Sequence, residues 1–365
     1  MDLIIKPTVR CNFKCTFCSS TEISDSDKDI LDLDTIFKFL KRFPDTETII
    51  VNGGDPLMMS PDYYWSIINY LEENGLSTTL SFTSNLWAFY KRPDIWGPLF
   101  KHPRMGVTTS FQYGGERLKG DGKEFTEEEF WSVSDLMLDV VGYRPDFIAV
   151  ITEQNCDTTI KTVELAKAMG VECKVNYAMG SGEPIVKNGV AMGNKDKPYL
   201  LSNIYEKYLE IHEKGLTQWE YNTKQLIDKL QQKTTTCPLN NQCDSGIRNL
   251  QPSGRYYSCG AFGDDDLYRI DFDREMEGEF FRPLQTVELV SMKTSCFECP
   301  MFSICNGCSK TIHEYKKLGL VEQHCKKMKV LAPRLIKAAG MEGRLQPTPY
   351  KDESTTIPLM DIMGH

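Results

Sequence analysis

Leu3-Ile4-Ile5-Lys6-Pro7-Thr8-Val9 runs, across Arg10, into Cys11-Asn12-Phe13-Lys14-Cys15-Thr16-Phe17-Cys18. The first part is rich in branched apolar residues and reads as a β-strand. The second puts three thiols, spaced Cys-x3-Cys-x2-Cys, on the loop that leaves it. Outward from this stretch the rhythm of short strand and helical segment continues. Strands are predicted at Leu3–Val9, Glu47–Asn52, Thr78–Thr83, Gly106–Phe111, Asp146–Thr152 and Val171–Ala178. Helical periodicity fills Leu33–Phe43, Pro61–Asn74, Asp94–Lys101, Thr126–Val141 and Thr158–Met169, with start signals such as Ser60-Pro61 and Thr126-Glu127-Glu128-Glu129. Such alternation implies an α/β fold with a parallel sheet. Periodicity alone fits a doubly wound sheet and a partial barrel equally. In both, the loops at the carboxyl ends of the strands carry the chemistry, and the cysteine loop is one of them.

The chain has 365 residues, 41% hydrophobic and 25% charged, which excludes a disordered or fibrous protein and suggests two domains or one large α/β unit. With 42 basic and 51 acidic residues the net charge is −9, so a nucleic-acid partner is not expected. No apolar run is long enough to span a membrane, and Met1–Lys6 lacks the features of a signal peptide, so a cytoplasmic location and no membrane partner are expected. Thirteen cysteines in such a chain read as metal ligands rather than as a disulfide framework. Three lie between 11 and 18, two between 156 and 173, and eight between 237 and 325.

Lys187–Lys197 is Gly- and Lys-rich and reads as a loop, followed by helices at Tyr199–Lys214 and Trp219–Lys233. After Thr234 the chain becomes short-patterned and punctuated by Cys and Gly, as expected where metal rather than a large core holds the fold. A helix at Gln323–Ala339 precedes a polar stretch, Glu342–His365. The expected organisation is a first domain over 1–185, connecting loop and helices over 186–233, a Cys-rich domain over 234–340 and a tail over 341–365.

Three thiolates on one loop can hold three irons of a [4Fe–4S] cluster and leave the fourth open; a zinc site completed elsewhere is the competing reading. Here the residues resemble the radical S-adenosylmethionine (SAM) superfamily, whose signature has this spacing with an aromatic, Phe17, before the third Cys. The resemblance covers at least residues 1–180 and implies a partial (β/α)6, TIM-like barrel with Cys11, Cys15 and Cys18 as cluster ligands and catalytic centre. Gly53-Gly54-Asp55-Pro56, after the second strand, is similar to the family's Gly-Gly-Glu-Pro, which receives the SAM amino group; here the acid is shorter by one methylene. Glycine there allows the backbone to approach a ligand closely. Ser84 and Asn85, ending the third strand, resemble the family's residues near the SAM methionine and ribose; the fourth strand carries Ser110 where the family places a Ser close to the ribose, and Gln112 beside it is a further candidate SAM contact. Arg117 is the candidate partner of the SAM carboxylate, with Lys119 and Lys123 as competitors.

The later cysteines form Cys237-x5-Cys243-x15-Cys259 and Cys296-x2-Cys299-x5-Cys305-x2-Cys308-x16-Cys325. By themselves they suffice for two four-thiolate sites, zinc ribbons included. In this company they resemble the SPASM domain of radical SAM enzymes that mature peptides and proteins, with Gly254-x4-Cys259 as its Gly-x4-Cys element. That likeness implies two auxiliary [4Fe–4S] clusters, one on Cys237, Cys243, Cys259 and Cys308, the other on Cys296, Cys299, Cys305 and Cys325. Cys173, on a strand, reads as a small buried hydrophobe, and Cys156 as a loop thiol.

What the resemblance implies is an oxidoreductase that cleaves SAM to a 5′-deoxyadenosyl radical and crosslinks or dehydrogenates a ribosomally made peptide or protein. It would need an external one-electron donor such as flavodoxin or ferredoxin. The chain starts at the first barrel strand without the winged-helix module of many peptide-modifying relatives, so recruitment by a separate peptide-binding protein is one expectation. The runner-up is a small-molecule dehydrogenase or a redox-neutral epimerase or rearrangement enzyme, and the last a zinc-rich binding protein. Gly260 follows Cys259 where anaerobic sulfatase-maturing enzymes place a catalytic Asp, which ranks formylglycine formation low. Trp87, Phe89 and Tyr90, after the third strand, are candidates to line a substrate pocket.

Overall fold

The computed structural model describes residues 1–18, 29–178, 185–187, 190–192, 198–231, 246–258, 269–279, 295–296, 298–305 and 308–344. The chain falls into two compact units, Met1–Tyr199 with Ser245–Phe280, and Leu200–Asp244 with Phe281–His365.

The first unit is built on β1 (Asp2–Ile5), α1 (Leu33–Arg42), β2 (Thr48–Val51), α2 (Pro61–Glu73), β3 (Thr79–Thr83), α3 (Trp87–Lys91), α4 (Pro93–Phe100), β4 (Met105–Ser110), α5 (Glu127–Val141), β5 (Phe147–Ile151), α6 (Thr159–Met169) and β6 (Cys173–Tyr177). β1 to β6 lie side by side in sequence order, each pair parallel, as in register Ile4↔Ile50 and Ile50↔Ser81. The sheet is open, running from β6 at one end, through β1, to two later strands at the other. Each helix shows its apolar face to the strands: α2 buries Tyr63, Tyr64, Ile67, Ile68 and Leu71, and the Tyr64 ring meets Phe82 of β3 edge-on at 4.6 Å. The predicted start of α5 is realised as a capping box between Thr126 and Glu129.

β1 ends earlier than its sequence suggests. Pro7 has no N–H for the ladder, and the Lys6 N–H turns to the Leu250 carbonyl at 2.9 Å. That carbonyl belongs to β9 (Ile247–Leu250), which lies parallel to β1, with β10 (Tyr256–Tyr257) antiparallel beyond it. Beneath this addition Arg248 and Glu275 form a fully buried ion pair at 2.7 Å, and the Tyr256 hydroxyl donates to the same carboxylate. Glu275 sits on α9 (Phe272–Met276). A buried pair of this kind is tolerable because the guanidinium grips both carboxylate oxygens and the phenol serves a third acceptor position. Residues 245–280 therefore group with the barrel through strand pairing, although their cysteine texture resembles the later region. The reading of Lys187–Lys197 as loop is corrected in part: β7 (Ile185–Lys187) and β8 (Val190–Met192) pair antiparallel.

The second unit contains α7 (Leu201–Glu213), α8 (Tyr221–Leu230), α10 (Phe302–Cys305), α11 (Ser309–Leu318) and α12 (Val321–Ala338). α12 is tied to α7 by Lys327 with Glu206 at 2.6 Å and Arg334 with Glu213 at 2.8 Å, and Gln231 donates to the Ala339 carbonyl. Among the described residues, no helix is long and apolar enough to cross a membrane.

Candidate active site

The loop of residues 11–18 leaves β1 and is held on two sides. On one side, residues 13–16 run antiparallel to 116–119: Lys14 N–H donates to Leu118 O at 2.8 Å and Thr16 N–H to Glu116 O at 3.0 Å. On the other, the Gly-Gly-Asp-Pro turn after β2 donates from Gly54 to Thr8 O and from Asp55 to Arg10 O. The glycines serve this contact. A Cβ on Gly54 would stand 2.1 Å from Arg10 O, and Gly53, at φ +130°, would place one 2.5 Å from Thr8 O. Their requirement is thus close approach to the cysteine loop's own backbone, where the sequence suggested approach to a ligand.

Asp55 is 2% exposed, and its carboxylate accepts from Leu57 N–H, Asn85 N–H and the Ser84 hydroxyl at 2.8–3.1 Å. Burial raises its pKa against the pull of those donors. It thereby ties the end of β2 to the end of β3. Pro56 opens a short turn whose carbonyl accepts the Tyr64 hydroxyl at 2.7 Å. At the end of β3, Asn85 aims its side-chain amide at Asn12 Oδ1 (2.6 Å) and lies 4.0 Å from Cys11 Sγ. Leu86 follows at φ +58°, alone among the described non-glycine residues in the left-handed region, and makes the sharp turn into α3.

Arg117 is 6% exposed and all its partners are neutral: Gln112 Oε1 takes Nε and Nη2, Ser110 Oγ takes Nη1 at 2.9 Å, and the Phe17 ring lies 5.3 Å away. Burial lowers its pKa, and the charges that hold it up are those of Cys15, Cys18 and Cys11. Lys119 is paired instead with Glu129, and Lys123 stands at the surface 3.9 Å from Asp121. Burial pushes the Cys11 thiol well above its usual range, with Asp55 adding to the rise, and Cys15 to about 11. As bare thiols these two are protonated at neutral pH, and among the described residues the buried guanidinium donates to neutral groups. Metal coordination deprotonates thiols outright and supplies the missing negative charge. Among the described residues no three His, Cys, Asp or Glu side chains converge on one ion, whereas a cubane gives each thiolate its own iron. Gln112 Nε2 and Asn52 Oδ1, after β4 and β2, are buried without a hydrogen-bond partner, as polar groups awaiting a polar ligand would be. The residues fit a thiolate-held cluster with an anionic, amino-bearing ligand beside it.

The sequence missed a carboxylate. Glu116, 8% exposed, accepts from Thr152 Oγ1 at 2.7 Å and Asn155 Nδ2 at 2.8 Å, and its backbone carbonyl accepts from Thr16 N–H. Its only advance signals were Gly114-Gly115 before it and the Thr152-x2-Asn155 pair at a strand end. Of the pocket candidates, Phe89 is buried in the core against Phe100, while Trp87 and Tyr90 are half-buried and stacked at 5.2 Å with Lys91 over the indole.

In the second unit Cys296 and Cys299 share a turn, with Cys299 N–H donating to Cys296 O at 3.1 Å. Burial raises the Cys325 thiol's pKa, and Cys299 raises it further. Cys305 Sγ lies 3.5 Å from Nε2 of the buried His324, and Cys308 precedes α11. Cys237, Cys243, Cys259, Gly260 and the tail from 345 lie outside the described residues. Cys173 is buried on β6 as expected, and Cys156 is half-buried after β5.

The family model of the Radical SAM superfamily matches residues 5–187, and the chain belongs to that superfamily. Its fold is that of SPASM-type members. The structure titled "Native anSMEcpe with bound AdoMet" aligns with a TM-score of 0.66 at 16% identity, covering 93% of this chain and 99% of that one. The same protein with bound AdoMet and Kp18Cys peptide aligns at 0.65, also at 16% identity, over 93% and 99%. Streptococcus suis SuiB bound to S-adenosylmethionine aligns at 0.50 and 16% identity, over 85% of this chain and 71% of that one. No curated protein matches the sequence.

Proposed function

We propose that the protein is a radical SAM oxidoreductase that crosslinks or dehydrogenates a ribosomally made peptide or protein side chain. The observation that carries the reading is Arg117, a buried guanidinium bonded to the neutral Gln112 and Ser110 and lying 5.3 Å from the Phe17 ring of the three-cysteine loop. A neighbour in fold was solved with AdoMet and a peptide together, which supports the substrate class. When bound, the cluster and SAM supply a 5′-deoxyadenosyl radical by one-electron reductive cleavage, and auxiliary clusters supply an acceptor for the substrate's second electron. Cys11, Cys15 and Cys18 hold the first cluster. Arg117 meets the SAM carboxylate, Asp55 the ammonium side, and Ser84, Asn85, Ser110 and Gln112 the ribose side. Cys237, Cys243, Cys259 and Cys308 hold one auxiliary cluster, and Cys296, Cys299, Cys305 and Cys325 the other. An external flavodoxin or ferredoxin delivers the starting electron.

Anaerobically reconstituted protein should then carry about 12 irons per chain, three four-iron clusters. With dithionite and SAM it should release 5′-deoxyadenosine. With its peptide it should give a product lighter by two hydrogens, read by mass spectrometry. Two zinc ions with one cluster per chain would remove the auxiliary sites, and a product of unchanged mass would mean epimerisation or rearrangement.

A further inference from the structure

Glu116 lies where three segments meet. Its backbone carbonyl accepts from the N–H of Thr16, the residue after Cys15, at 3.0 Å, within the antiparallel pairing of 13–16 with 116–119. Its carboxylate takes Thr152 and Asn155 from the loop after β5, and Asn155 Nδ2 also donates to Val150 O at the end of that strand. Asn155 Oδ1 in turn accepts Thr152 N–H at 2.9 Å, so the donor pair is itself fixed. Gly114 lets the segments come this close: a Cβ there would lie 2.6 Å from Asn155 Cβ. The next residue is Arg117, whose guanidinium lies 5.3 Å from the ring of Phe17 on the cysteine loop.

We propose that Glu116 is a positioning residue that fixes the cysteine loop against the carboxyl end of β5, and so sets the stance of the cluster thiolates toward the ligand lying over the strand ends. It rests on the radical SAM reading of residues 11–18. A carboxylate suits the task because it offers acceptors only, and takes a hydroxyl and an amide donor at one oxygen. Thr152 is the link that can be cut without emptying the site. Thr152→Val keeps the shape and removes the donor, and Thr152→Ser keeps the donor.

The experiment compares parent, T152V, T152S and E116A after anaerobic reconstitution. It measures iron content, melting temperature, the 5′-deoxyadenosine release rate under dithionite, and the change in the reduced cluster's EPR spectrum on adding SAM. T152V should keep parental iron, release 5′-deoxyadenosine roughly 10- to 100-fold more slowly, and show a diminished SAM-dependent spectral change; T152S should restore both. E116A should show the same spectral loss or fail to fold, in which case T152V decides. A T152V rate within twofold of parent overturns the proposal, as does a rate loss matched by lost iron, which would make the link an assembly contact. Failure of the underlying reading is separate: the parent itself would release no 5′-deoxyadenosine.

Discussion

The thiols of residues 11–18 and those of residues 296–325 share a chemistry and differ in what holds them. The first loop is stitched to its surroundings by backbone pairs on both flanks, by a glycine turn that admits no Cβ, and by side chains following β3 and β4, Asn85 on Asn12 and Arg117 over the Phe17 ring. Around the second set the described contacts come from short turns and helices: a turn between Cys296 and Cys299, His324 against Cys305, and Lys229 donating to Ile304 O. A catalytic metal loop needs its position set by protein, because the ligand beside it must land within a fraction of an ångström. Electron-transfer clusters tolerate more, and there the metal itself can organise the chain.

The largest test of that contrast is to strip the iron. Hydrogen exchange should show 295–344 losing protection while β1 to β6 keep theirs; equal loss in both would end the distinction. Next, replacing Cys11, Cys15 and Cys18 together by Ala should abolish SAM cleavage and remove about four irons, leaving the melting temperature near parental. Replacing Cys299 and Cys305 by Ala should preserve 5′-deoxyadenosine release and remove the oxidised product, assayed in soluble, compact protein; full product formation would reduce the distal cluster to a staple. Asp55→Asn should weaken SAM binding by about 1.5–3 kcal/mol, read by calorimetry. Unchanged affinity with lower stability would confine Asp55 to joining β2 and β3. Smallest, Tyr64→Phe removes the hydroxyl that holds the Pro56 carbonyl and should cost about 0.5–1.5 kcal/mol in denaturant unfolding.

The same contrast explains what the sequence made legible. Period and punctuation sufficed for β1 to β6 and for α1, α2, α5 and α6, because each is a local pattern with its own caps. The Cys-x3-Cys-x2-Cys loop and Gly-Gly-Asp-Pro were legible because spacing on one short loop is itself the information. Three features were not. β9 is Ile247-Arg248-Asn249-Leu250, short and half polar, and becomes a strand only because β1 offers it an edge. α11 is polar over most of its length and has no side-chain cap at its start. Glu116 looks like a loop charge until Thr16, Thr152 and Asn155 are brought to it from more than a hundred positions of sequence, 16 to 155.

The β1–β9 pairing has a consequence for how the chain is made. The strand that carries the cysteine loop leaves the ribosome well before its outer neighbour, which lies some 240 positions later, from residue 247. During that interval one edge of β1 presents unpaired N–H and C=O groups, and the buried Arg248–Glu275 lock beneath it does not yet exist. Closure of that edge is a contact of very high sequence separation and should be among the last to form. Nascent chains halted before residue 247 would have the six-strand array without its seal, making them the species that chaperones bind and iron loading should avoid.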